Sequence, residues 1–408
     1  MFQDSGCRLK IKNYSLSAVI CFLLFTSLFS SAQQTERTFY DKENKIKKEI
    51  FHSKKASGKT IKDGLYQIFY ENGRLWQEGN YKEDKLHGDW KIYFENETLK
   101  QTVHYENGLR EGTSKIYFDD GTLYQELIYS ADKLNGKVIL HHANGKTSEV
   151  SEYKNDSLQG ESKGFYESGS RRFIRHYLNG KQNGVDEEFY DNEKPSEKSF
   201  YTDNKYDGEF ISYYNDSLNG IQKKCTYKNG KLNGVFSGYY PNGSIQVKGV
   251  YSNDSLQGEY LHYFPSKKGF PEGKLVEKGN YMNNYRTGNW NSWYPDGTDY
   301  TSGNFTTGKF EGEWKVYHPN GHIKQTGSYS SGLEEGPWKY YHPNGNTYME
   351  TNYKKGKQDG AMKEYYEDGK LKASYFFKNG VLDGKQTAYD KDGKIVEEKT
   401  YQNGVVQK

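Results

Sequence analysis

Aromatic residues return along this chain at a fixed interval, each time among polar neighbours. A glycine recurs at 64, 88, 112, 136, 160, 184 and 208, then at 234 and 258, then at 288, 312, 336, 360 and 384. The spacing is 24 residues apart from one insertion of two and one of six, which makes fourteen units. With that glycine as position 1, position 6 is aromatic in thirteen units, from Phe69 and Tyr93 to Tyr365 and Tyr389; His141 takes the remaining place. Placing both insertions before position 18 makes that position Tyr or Phe in all fourteen, from Tyr81 to Tyr401. A self-similar period of this length signals a repeat architecture.

Within a unit the pattern is that of two strands. In Glu313-Trp314-Lys315-Val316-Tyr317-His318, alternation puts Trp314, Val316 and His318 on one face and Lys315 and Tyr317 on the other. Positions 8–10 then give Pro-Asn-Gly, Glu-Asn-Gly or Pro-Asp-Gly, as at Asn320-Gly321 and Asp296-Gly297. Such dipeptides accept positive φ and are strong hairpin signals. Positions 11–18 form the second strand, and a second turn follows, often Asn-Gly, as at Asn107-Gly108. Turn signals every 10–12 residues leave no room for helices of ordinary length. Position 16 is glycine at 79, 249, 279, 303 and 327. A glycine inside a strand marks close approach of something bulky, so a ring of a neighbouring strand is expected above it. The predicted fold is all-β: an elongated, twisted antiparallel meander of about fourteen tandem hairpin repeats with a thin aromatic core.

Composition agrees with a ribbon. Apolar residues are 33% and Tyr alone contributes 39 of the 408, beside 44 Gly, too few aliphatics for two or three thick cores. Aromatics at 16%, only 8 Pro and a net charge of +3 argue against disorder. Lys+Arg (57) and Asp+Glu (54) are interspersed, with no basic stripe for nucleic acid.

Residues 1–32 differ. Arg8, Lys10 and Lys12 precede an apolar run from Leu16 to Phe29, and Ser30-Ser31-Ala32 supplies small residues before Gln33. This predicts a secretory signal peptide cleaved near Ala32 and an exported protein: periplasmic, outer-membrane associated or extracellular. An uncleaved anchor and a lipoprotein signal at Cys21 are weaker alternatives. Residues 33–63 form a lead-in with a vestigial unit, and 64–408 the repeat domain. After cleavage only Cys225 remains, so no intramolecular disulfide forms.

Catalytic constellations are absent from the sequence: no phosphate loop, no HExxH, no CxxC. Neither cofactor nor metal is expected. His318 and His322 flank a turn and are the nearest approach to a metal pair, with surface or stacking roles the simpler account. Asn-Asp-Ser-Leu recurs at 155, 215 and 253, an oxygen-rich segment that suits turn capping better than calcium. The tryptophans are the candidate contacts. Trp90, Trp290, Trp314 and Trp338 hold position 3, Trp293 holds position 6, and Trp76 lies on a second strand. Two readings stay open: the best-packed core residues, or an exposed aromatic ladder for a sugar or a protein.

The run Tyr329…Gly336-Pro337-Trp338…Tyr341…Asn344-Gly345 resembles the MORN-repeat variant of bacterial proteins, including antitoxin-like proteins of the YwqK type. The resemblance covers about residues 64–404 and implies β-hairpin repeats serving as scaffolds or binding surfaces, with no catalytic residues to carry over. The antitoxin association implies neutralising a partner protein. Two units depart from the pattern: His141-His142 stands where an aromatic pair is expected, and Asn192-Glu193-Lys194-Pro195 replaces a turn. The functional expectation is an exported, non-enzymatic scaffold for a protein partner or envelope surface, touching membrane only through export or envelope association. Carbohydrate binding through the aromatic ladder is the alternative.

Overall fold

The computed structural model describes residues 32–267 and 272–408. The signal-sequence expectation lies outside the described residues. All regular structure among them is β, in one antiparallel sheet in which successive hairpins pair in chain order.

One unit shows how the ladder is built. Gly312 faces Tyr329, Trp314 faces Gly327 and Val316 faces Gln325; a bulge then brings Tyr317 opposite Ile323. The second strand continues into the next unit, with Gln325 opposite Tyr340 and Tyr329 opposite Glu334. Positions 3, 5, 14, 16 and 18 therefore share one face, the packed one. Positions 4, 6 and 15 share the other, the open one.

The two edges use different turns. At the first, only position 10 takes positive φ, as at Gly321 (86°), and Gly321 N–H donates to His318 C=O at 2.9 Å. This is a type I turn closed by a glycine bulge. At the second, both central residues are left-handed, as at Ser331 (54°) and Gly332 (88°) between paired Ser330 and Leu333. That is a type I′ turn, whose twist matches the strands it joins. Its 21st position donates to the position-23 carbonyl of the preceding unit, as from Gly332 N–H to Phe310 C=O at 2.9 Å.

Both insertions lengthen the first turn. Tyr214 N–H reaches Gly220 C=O, enclosing residues 215–219, and Phe264 N–H reaches Lys274 C=O, enclosing 265–273. The departing units fold like the others. Glu193 takes the left-handed place at φ 63°, and Asn192 Oδ1 accepts Lys194 N–H at 3.1 Å. Two strands per unit predict about 28, whereas the sheet counts 39 segments among the described residues. Three of the extra segments are the two lead-in strands and the last short strand, and the other eight arise where a unit's first strand is broken in two. Some units run unbroken from position 22 to 6, as in Leu333–Tyr341. Others break at position 24, just before the glycine, as at Asn183 between Lys181–Gln182 and Gly184–Phe189; the glycine has positive φ in both kinds, 73° at Gly336 and 111° at Gly184.

The core is a single file along the packed face. Trp338 lies over Gly327, Trp314 over Gly303, Trp290 over Gly279 and Trp90 over Gly79. The position-18 ring meets each indole edge-on: Tyr329 and Trp338 at 5.0 Å and 80°, Phe305 and Trp314 at 5.6 Å and 90°, Tyr281 and Trp290 at 5.2 Å and 89°. Edge-to-face pairs of this kind add about 0.5–1.5 kcal/mol beyond burial. Those contacts cross from one unit to the next, and each indole also meets the position-18 ring of its own unit, with Trp290 to Phe305 at 6.0 Å and Trp314 to Tyr329 at 6.4 Å. The aromatic core of this region is therefore continuous across units.

Candidate binding surfaces

The five candidate contact tryptophans divide by position. Trp90, Trp290, Trp314 and Trp338 are 2, 3, 9 and 1% exposed, so their rings are core. Their face is closed by the glycine beneath, the position-18 rings and the position-23 side chain, which is Phe310 at 4.6 Å from Trp314 and the Arg286 guanidinium at 4.0 Å from Trp290. The indole N–H of Trp90 and of Trp290 donates to the carbonyls of Asn80 and Asn280 at 3.1 Å. Trp293, on the open face, is half-buried. The structure thus gives no exposed ladder through position 3: packing against glycine removes those rings from solvent.

Where position 16 is not glycine, position 3 of the next unit shrinks or changes chemistry. Ser151 meets Ser162 at 2.8 Å, and Cys225 precedes Phe236. Cys225 is buried, which pushes its thiol pKa up and leaves it a packing residue. At one joint the pair is ionic. Arg175 Nε stands 3.4 Å from Asp186 Oδ2, Arg175 Nη2 donates to Glu188 at 2.5 Å, and Gln182 donates to Asp186 at 2.7 Å. Asp186 is 3% exposed, and burial raises its carboxyl above the usual range. The polar stretch from Ser151 to Ser199 therefore interrupts the aromatic file.

On the open face, cross-strand ion pairs recur between positions 4 and 15: Lys115 with Glu126 at 3.2 Å, Glu187 with Lys198 at 2.8 Å, and Lys339 with Glu350 at 2.9 Å. The Lys339 ammonium holds the Glu350 carboxyl below its usual range. The position-6 phenols join these acids. Tyr93 donates to Glu78 at 2.9 Å and Tyr365 to Glu350 at 3.2 Å. Burial, and then the Glu78 hydrogen bond, push the Tyr93 phenol up to about 12. The sequence alone did not single out position 7. Its side chain donates to the position-6 carbonyl of the next unit: Tyr70 to Tyr93, Tyr166 to Phe189, Tyr240 to Tyr263, Tyr294 to Tyr317 and Tyr366 to Tyr389, at 2.7–3.0 Å. Imidazoles do the same at His142, His318 and His342. The available signal was the aromatic or His pair at positions 6 and 7.

Those bonds place the histidines. His318 Nε2 binds the Tyr341 carbonyl at 3.0 Å and His322 Nδ1 the Pro343 carbonyl at 2.8 Å, so each serves the next turn instead of a shared metal. Among the described residues no group of three or more His, Cys, Asp or Glu is placed to hold a metal. The Asn-Asp-Ser-Leu segments are turns: Asp156 and Asp254 accept the backbone N–H of Leu134 and Leu232, and Asp216 that of Leu218 and Asn219.

A single-file core, two open edges and a repeated charged face define a β-hairpin repeat array, a class suited to scaffolding and binding. The chain belongs to the MORN-repeat-variant family: that family's profile matches residues 62–83, 86–107, 110–131, 158–179, 232–253, 310–331, 334–355, 358–379 and 382–403. No curated protein matches it. Among solved structures it is similar to a TcdB2–TccC3–Cdc42 complex, at 9% identity over 92% of this chain and 22% of that one, TM-score 0.16. It is also similar to a Photorhabdus luminescens Tc holotoxin pore, at 9% identity over 90% of this chain and 20% of that one, TM-score 0.16. The chain spans about a fifth of those chains, and nothing is carried over from them.

Proposed function

We infer that this protein is an exported, non-catalytic scaffold that binds a partner protein along its open face. The observation behind the reading is the open face, where Lys–Glu pairs recur between positions 4 and 15 and position-6 tyrosines bond position-15 carboxylates, the two coming together at Lys339, Glu350 and Tyr365. Half-buried tyrosines fixed among charges offer contact area at little cost in side-chain entropy. A partner spanning several units would meet a position-6 aromatic ring at almost every step and gain avidity from it. Glycan binding through position 3 is not favoured, because those four indoles are covered.

The test uses the full chain. Tyr317→Ala, Tyr341→Ala and Tyr365→Ala together are expected to abolish retention of an envelope partner while circular dichroism is unchanged. Retention that survives them, or retention of glycans alone, would overturn the reading. Export is checked by N-terminal sequencing of the protein recovered outside the cytoplasm, which is expected to start at Gln33.

A further inference from the structure

We propose that the cleft formed by Tyr40, Tyr70 and Trp76 at the first-turn edge binds a small methylated ammonium cation of the choline type. The cleft encloses about 400 Å³ and is completed by Glu71, Asn72 and Glu95. Trp76 is 39% exposed, unlike the position-3 tryptophans, and its ring stands 5.8 Å from that of Tyr70 at 32°. Both tyrosines are fixed. Tyr40 donates to the Phe69 carbonyl and Tyr70 to the Tyr93 carbonyl, each at 2.8 Å. The aromatic walls are thus set before any ligand arrives.

The neighbouring units show what these rings accept. Lys48 Nζ lies over Tyr40 at 5.6 Å, and Lys100 Nζ over Phe94 at 5.3 Å. In both, the lysine at position 13 supplies a cation to the ring at position 7. In the unit between them position 13 is Trp76, so Tyr70 receives a second ring where its neighbours receive a charge.

Position 8 adds the electrostatics. It is acidic in both units at this joint, Glu71 and Glu95, whereas it is proline at 241, 295, 319 and 343. Among the described residues neither carboxylate forms an ion pair; the nearby Arg74 is directed to the Glu95 carbonyl at 2.6 Å and to Glu97 at 3.8 Å. The tyrosine hydroxyls are already committed to carbonyls and Lys48 already lies over Tyr40, so the cleft offers a cation the rings of Tyr70 and Trp76 with outlying negative charge. A primary ammonium would need several converging acceptors for its three N–H groups. A methylated ammonium needs only π faces and a negative surround.

The site is independent of the partner-binding face. Choline chloride and its neutral carbon isostere 3,3-dimethyl-1-butanol are titrated into the full chain by saturation-transfer NMR. Choline is expected to saturate in the millimolar range, with the isostere about tenfold weaker. Trp76→Ala, and separately Glu71→Gln with Glu95→Gln, are each expected to weaken choline about tenfold with an unchanged melting profile. Equal binding of the isostere, a Trp76→Ala protein that binds as before, or no saturation by about 100 mM choline would each overturn the proposal.

Discussion

Gly327 lies directly beneath the indole of Trp338, and a β-carbon at 327 would overlap the ring. The glycine is there for space: its φ is not in the left-handed region. The same relation joins Gly303 to Trp314 across the preceding joint, and Gly279 to Trp290 before that, so each of these units reserves room for the ring of its successor.

Gly327→Ala is therefore expected to lose about 1–3 kcal/mol of stability, the range of overpacked cores. Trp338→Leu should recover part of that loss, since it removes the ring the β-carbon strikes. A double-mutant cycle by urea unfolding measures the coupling, and additive effects would refute the pairing.

Replacing Trp290, Trp314 and Trp338 together by alanine is expected to unfold the units around them. Each truncation costs about 3–5 kcal/mol in a packed core. Hydrogen exchange resolves the outcome: lost protection over residues 285–353 with the distant first units intact. Retained protection would mean the rings are surface groups.

The Arg175–Asp186 pair should behave as a buried ion pair. Arg175→Ala alone strands the Asp186 carboxylate and is expected to cost about 3–5 kcal/mol. The double change Arg175→Gly and Asp186→Trp recreates the pairing seen at Gly327 and Trp338 and is expected to be neutral or stabilising. Thermal melts of the single and double variants separate these outcomes.

Stability should fall in alkali. The Tyr93 phenol titrates near 10 unfolded and at about 12 folded, so the folded state holds the proton more tightly. Its contribution is complete below pH 10 and lost as pH rises from 10 to 12. Glu78→Gln should lower the folded value while burial still holds it above 10. Spectrophotometric titration of the phenols against urea midpoints checks the sign.

Removing one inter-unit staple is expected to be modest. Tyr240→Phe deletes the hydroxyl that donates to Tyr263 C=O at 2.8 Å and should cost about 0.5–1.5 kcal/mol. Amide exchange should speed at the turn after Tyr263 and remain unchanged in remote units.

The hairpins, the alternation along their strands and the places of both turns were legible in the sequence because they rest on local chemistry. Period-2 alternation fixes a face, and Asn-Gly or Asp-Gly fixes a reversal, whatever lies beyond the unit. The ring expected above position 16 was legible too, since a strand glycine means close approach. The candidate surface was much less so. Trp314 and Trp76 are the same residue type on strands of the same sheet, yet one is 9% and the other 39% exposed. Alternation says which residues share a face and not which face is covered.

The sequence by itself determined the all-β repeat, its 24-residue period and the family to which it belongs. Only the tertiary structure decided that four of the five candidate tryptophans are core, that position 7 ties each unit to the next, and that Tyr40, Tyr70 and Trp76 share a cleft. Most of those relations join residues of different units: Gly327 to Trp338, Tyr70 to Tyr93 and Tyr40 to Tyr70. They depend on how each hairpin bends over the last, which is set by the bulges, the left-handed glycines and the volume of the facing side chain.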